Sequence, residues 1–173
     1  MPEAQGFAEF VAGRQQPLLR FAMVLCGDAP LAEELVADVL ARSYERWQRI
    51  GEVERPNAYV RRMVVNEYLS SRRRTHRTMP LADPSSHGES HPDHAIEHAE
   101  RAAMIAALAQ LPRKQRATLV LRFYEGQSDA EIASILGCSQ STVRSNAARA
   151  LAALRINLAT DEGSPSYTGA GEV

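Results

Sequence analysis

Six residues near the C-terminal end, Gln140, Ser141, Thr142, Arg144, Ser145 and Arg149, bring amide, hydroxyl and guanidinium groups together, and no acidic residue occurs from Cys138 to Ala159. Side chains of these types on one helical face can hydrogen-bond base edges in a DNA major groove and neutralise its phosphates. A second basic group is Arg61, Arg62 and Asn66, followed by Arg72, Arg73 and Arg74. Such a surface can track a phosphate backbone while an amide reads an unstacked base. The plain alternatives are a helical hairpin with a solvated basic face, and a helix end whose cations offset the C-terminal dipole. His87, His91, His94 and His98 also cluster. With Pro92 among them and no second ligand-bearing element, they read as a polar linker rather than a metal site. No Gly-rich phosphate loop and no nucleophile beside a base is found, so no catalytic residue, metal or cofactor is expected.

The elements that must position these residues follow from periodicity and caps. Ser128-Asp129-Ala130-Glu131 has the spacing of a capping box, opening a short helix over 129–136 that packs through Ile132 and Ile135. Gly137 supplies a left-handed turn, and Ser139 caps a helix from Gln140 to about Leu158, with Val143, Ala147, Ala150, Leu151 and Leu154 inward. Short helix, glycine turn and longer capped helix make a helix-turn-helix. Before it, one helix is expected over 101–111, and another opens at Pro112 and stops at Gly126.

Earlier in the chain, Leu31, Leu35, Val36, Val39, Leu40, Tyr44 and Trp47 recur at helical spacing after the start signal Gly27-Asp28-Ala29-Pro30. A preceding helix is expected over 7–25, burying Phe10, Val11, Leu18, Leu19, Ala22 and Leu25, with Pro17 able to kink it. A third helix after Pro56, capped by Asn57, buries Tyr59, Val60, Met63, Val64 and Leu69. The fold class is therefore all-α: two small helical domains, 7–75 and 97–158, joined by a flexible Pro-, Gly- and His-containing linker over 76–96, with a disordered tail over 159–173.

Composition agrees with this. Hydrophobic residues make up 45% of the 173 residues and charged residues 24%, as in a soluble globular protein. The net charge of -1 conceals six arginines over 61–77 and five acids over 78–100. Local fields rather than net charge attract a polyanion. No apolar run is long enough for a bilayer, and Met1-Pro2-Glu3-Ala4-Gln5 lacks the features of a secretory signal. Cys26 and Cys138 read as reduced thiols of a cytoplasmic protein.

Four segments together resemble the extracytoplasmic-function (group IV) sigma factors of bacterial RNA polymerase. They are Ala32-Glu33-Glu34-Leu35-Val36-Ala37-Asp38-Val39-Leu40 leading to Tyr44 and Trp47; Ala58 to Asn66 with the arginine run; Leu111-Pro112-Arg113-Lys114-Gln115-Arg116 through Gly126; and Glu131-Ile132-Ala133 with Thr142-Val143-Arg144-Ser145 and Arg149-Ala150-Leu151. The resemblance implies that Glu33, Glu34, Leu35, Asp38, Val39 and Arg42 bind the clamp helices of the largest polymerase subunit. It implies that Arg61, Arg62, Asn66 and Arg72–Arg74 meet the −10 element. Gln140, Ser141, Thr142, Arg144, Ser145 and Arg149 would read the −35 element, with Arg122 on the backbone. Core polymerase (clamp and the flap of the second-largest subunit), promoter DNA and an anti-sigma factor are the implied partners. Ala37, Asn146 and Ala148 depart from the family pattern, the last two at positions that bear on −35 sequence preference. Two other classes use the same residues differently: a free-standing helix-turn-helix regulator, and a helical adaptor that never touches DNA.

Overall fold

Burial of apolar stripes organises every element of the computed structural model, which describes residues 2–71 and 92–162. In chain order the helices are α1 (Pro2–Cys26), α2 (Ala29–Glu45), α3 (Trp47–Ile50), α4 (Pro56–Ser70), α5 (Pro92–Ala109), α6 (Arg113–Leu119), α7 (Asp129–Leu136) and α8 (Gln140–Glu162). A π-helical turn, Val120–Tyr124, continues α6. The described residues contain helices and turns and no strand.

Local signals account for most boundaries. Asp28 accepts from the Leu31 amide at 2.9 Å and so caps α2, with Pro30 in its first turn. Ser128 and Glu131 satisfy each other's backbone amides in a complete capping box at α7. Gly137 ends α7 with φ +62, the left-handed region that disfavours a side chain.

Several expectations change. α1 begins at Pro2 and passes through Pro17 unbroken, because Leu18, Phe21, Ala22 and Leu25 beyond it are all fully buried. Trp47 lies past the end of α2 and starts α3, where it packs edge-on to Phe7 and against Phe10. Arg55, not Asn57, is the N-cap of α4, and Asn57 Oδ1 is buried without a partner. The inward face of α4 is Val60, Val64, Val65 and Tyr68, whereas Tyr59 is exposed. α5 starts at Pro92 rather than at 101, inside the interval read as linker, and α8 runs to Glu162, into the interval read as tail. Arg72–Arg74, the rest of the linker with His87 and His91, and the tail after Glu162 lie outside the described residues.

Helices α1–α4 form one unit and α5–α8 another, and the two pack directly together. One apolar core runs through both, from Leu18, Phe21 and Leu25 (α1), Val39 (α2) and Val64 (α4) to Val120, Leu121, Ile132 and Val143. A smaller cluster of Leu108, Leu111, Leu119, Ala147, Ala150 and Leu154 holds α5 and α6 to α8, and Val24 of α1 packs against it.

Candidate nucleic-acid interface

The helix-turn-helix has the geometry its sequence implied. Burial of Val143, Ala147, Ala150 and Leu154 fixes the inner side of α8. Gln140, Ser141, Thr142, Arg144, Ser145 and Arg149 are consequently all exposed. At the start of α8 the Ser139 hydroxyl accepts from the Thr142 amide at 3.2 Å, and it lies 2.8 Å from the Ser141 hydroxyl and 2.9 Å from that of Thr142. The first turn is thus capped while its side chains face outward. Free amides and dipole at such an end favour phosphate nearby.

Arg122 is less free than its sequence suggested. It pairs with Asp129, whose second oxygen lies 3.9 Å from Arg144 Nη1. One carboxylate in the first turn of α7 therefore stands between a candidate backbone contact and a candidate base contact. Ser128 bonds hold the Glu131 carboxyl below the usual carboxylate range.

The second basic group is divided. Asn66 is exposed on α4. Arg61 lies over the Phe21 ring, 5.4 Å from its centre, and pairs with Glu125 of the C-terminal unit. Tyr124 stacks on the same ring with centres 6.2 Å apart. Arg62 Nη2 donates to the Ser134 carbonyl of α7 at 2.9 Å.

Of the residues expected to bind polymerase, Glu33, Glu34 and Asp38 are exposed on α2. Leu35 and Val39 are core residues, 4% and 0% exposed, as their apolar spacing implied, so the polymerase role that the resemblance gave them is not offered by exposed side chains. The physical reason is register: they share the stripe of Ala32 and Val36 that packs on α1 and α4. Arg42 is pinned to Glu67 of α4 at 2.6 Å. A shallow groove of about 240 Å³ runs along this face, lined by Leu31, Glu34, Leu35, Asp38, Glu67, Ser71 and Arg113.

Sequence reading missed the residues that join the two units. Arg113 donates to the Tyr68 carbonyl at 2.9 Å and to the Ser71 carbonyl, at the end of α4. Arg116, only 6% exposed, donates to the carbonyls of Leu25 (2.8 Å) and Cys26 (3.0 Å) at the end of α1, and to that of Ala109. Two guanidinium groups thus close the C-termini of α4, α1 and α5, where orphan carbonyls and the dipole both favour cations. Both lie over the Tyr68 ring, at 5.1 and 6.0 Å. The available signal was two arginines three apart in the first turn after Pro112. Burial raises the Cys26 thiol to about 12 despite the nearby arginines, and pulls Arg116 below its ordinary range. Arg61 Nε, Arg116 Nε and Tyr68 OH remain buried without partners, a cost of about 1–3 kcal/mol apiece.

Both cysteines are free. Among the described residues no cluster of His, Cys, Asp and Glu could hold a metal, and no helix is long and apolar enough to cross a membrane.

Comparison with known proteins places both units. Residues 10–78 match the family "Sigma-70 region 2", and residues 101–154 match "Sigma-70, region 4". The chain is 40% identical to an RNA polymerase sigma-E factor of Streptomyces coelicolor, covering 91% of this chain and 89% of that one. It is 35% identical to the ECF RNA polymerase sigma factor SigL of Mycobacterium tuberculosis, with 82% of each covered. Among solved structures, the sigma factor RpoE of Bartonella quintana, in complex with the anti-sigma factor NepR, shares the fold with a TM-score of 0.65 at 23% identity. That match covers 90% of this chain and 98% of the other. CnrH, in complex with the cytosolic domain of CnrY, shares it with a TM-score of 0.60 at 21% identity, covering 92% and 96%.

Proposed function

The chain belongs to the extracytoplasmic-function group of the sigma-70 family and is a promoter-directing sigma factor of RNA polymerase, and from that premise we propose how its residues divide the work. The C-terminal unit reads the −35 element as duplex. α8 enters the major groove with Arg144, Ser145 and Arg149 toward base edges, and Gln140, Ser141 and Thr142 near phosphates at its amino end. Arg122 serves the backbone once exchanged from Asp129. The N-terminal unit reads the −10 element as it opens, through Arg61, Arg62 and Asn66, with Arg72–Arg74 extending the basic track. A base taken out of the stack offsets its unstacking cost only when the right contacts receive it, so melting is sequence-selective.

Glu33, Glu34 and Asp38 face the polymerase clamp from α2, and the C-terminal unit meets the flap of the second-largest subunit. Each unit alone neutralises few phosphates and binds DNA weakly. Polymerase holds both at a set separation, and effective concentration turns two weak readings into one strong one. The protein works in the cytoplasm without a cofactor, as a non-catalytic subunit. RpoE was solved in complex with the anti-sigma factor NepR. We extend that expectation to an anti-sigma partner for this chain.

The observation that carries this reading is the exposed face of α8 from Gln140 to Arg149, which holds no acidic residue and is presented by a capped helix-turn-helix. Its test is run-off transcription with purified core enzyme and the Arg144→Ala/Arg149→Ala double variant. Each lost base contact costs about 1–3 kcal/mol, so promoter-dependent transcripts should fall at least tenfold. Co-elution with core should stay unchanged. Undiminished, accurately started transcripts would refute the assignment of α8.

A further inference from the structure

Given the −35-reading role proposed above for α8, on which this depends, we infer that Asp129 is a specificity-determining residue. Its carboxylate exchanges Arg122 for Arg144 when duplex DNA docks, and so aims Arg144 at a guanine. Three acids lie over 125–131. Glu125 pairs with Arg61, and Glu131 is taken up by the Ser128 cap. Asp129 is the one that faces α8, paired through Oδ1 with Arg122 and with Oδ2 3.9 Å from Arg144 Nη1.

Packing holds the carboxylate in this place. Asp129 opens α7 one turn before Ile132 and Ala133, which share a core with Val143, the neighbour of Arg144. Gly137, at φ +62, sets the turn between the two helices.

An acid on a surface that meets phosphates repels them unless a cation covers it. Here two arginines share one carboxylate, so a cation remains for the DNA whichever of them Asp129 keeps. In the free chain Arg122 is the close partner, and the Arg144 side chain is 61% exposed and loosely held. A phosphate that draws off Arg122 leaves Oδ1 open, and Arg144 closes on it. A carboxylate on one edge of the planar guanidinium leaves the other edge, with two N–H donors, for the groove. That edge matches the N7 and O6 acceptors of guanine, whereas adenine presents a donor at N6. An arginine without the buttress settles equally well on phosphate, which carries no sequence information.

The plain role of an acid in the first turn of α7 is to offset the helix dipole. That role predicts lost stability and no change in base preference.

The test uses holoenzyme assembled from the full chain and core polymerase, with templates randomised across the −35 element and their transcripts sequenced. Wild type should favour guanine at one position, and Arg144→Ala should erase that preference. Asp129→Asn, of nearly the same shape, should lower it about fivefold, the low end of what one bidentate base contact is worth, and leave other positions unchanged. The same holoenzyme should bind promoter-free duplex more tightly, with a salt slope steeper by about 1, because Arg122 is released to phosphate. Arg122→Ala, which leaves the carboxylate to Arg144, should weaken all −35 sequences alike and keep the guanine preference. Far-UV circular dichroism and co-elution with core should match wild type throughout. A guanine preference untouched by Asp129→Asn but erased by Arg144→Ala would overturn the proposal alone. Preferences unchanged by Arg144→Ala would instead remove the −35 role of α8, and this proposal with it.

Discussion

Arg116 Nη1 donates to the Leu25 carbonyl oxygen at 2.8 Å, across 91 positions of sequence, and so ties the first turn of α6 to the last turn of α1. Arg116→Ala leaves the Leu25 and Cys26 carbonyls without this donor inside a buried seam. Hydrogen bonds from a charged donor are worth about 1.5–3 kcal/mol each, and the neighbouring Ala109 contact is lost as well. Chemical denaturation should show a loss of about 2–4 kcal/mol. Arg116→Lys should recover only part of it, because an ammonium cannot span carbonyls at two helix ends as a planar fork does. A loss below about 0.5 kcal/mol would show that the seam contributes little.

Val39 and Asp38 are adjacent on α2 and should behave oppositely. Val39 is fully buried and Asp38 is exposed. Val39→Ala should lower stability by about 1–3 kcal/mol through the cavity left behind, and the folded fraction should still bind core. Asp38→Ala should leave the denaturation midpoint within about 0.5 kcal/mol of wild type, while weakening co-elution with core polymerase. The reverse pattern would relocate the polymerase-binding face.

The capping box of α7 gives a pH dependence of known sign. Ser128 holds the Glu131 carboxyl below its ordinary value, so the ionised form is favoured by folding. Its stabilisation is complete above the unfolded Glu value of about 4.3 and is lost as pH falls through the lower folded-state value. Glu131→Gln should remove this part of the acid sensitivity of α7, measured as helix content or amide exchange between neutral and low pH. An unchanged acid profile in the variant would show that the cap carries no proton linkage.

The helix-turn-helix was legible because its signals are local. Ser128, Glu131, Gly137 and Ser139 each specify backbone geometry within four residues, and the stripe Val143, Ala147, Ala150 and Leu154 fixes which side of α8 faces out. The face of α4 was read less well. Tyr59 and Tyr68 are the same residue type on one helix, and only packing on α1 and α6 decides that Tyr68 is buried and Tyr59 is not. Leu35 and Val39 lie on the apolar stripe that periodicity marked, and their polymerase role came only from the family resemblance. Periodicity shows which residues share a stripe, but the neighbouring helices decide which stripe is covered.

By itself the sequence determined an all-helical chain of two units, the boundaries set by caps and glycines, and the basic, acid-free face of α8. Those properties depend on φ/ψ preferences, side-chain-to-backbone bonds and charge within a few turns. Only the tertiary structure decided that the two units share a core, that Arg61 and Arg62 turn toward Glu125 and Ser134, and that Arg113 and Arg116 close the ends of α4 and α1. Those pairings join residues 42 to 91 positions apart. An arginine that will cap a distant helix has the same local pattern as one that will remain in water.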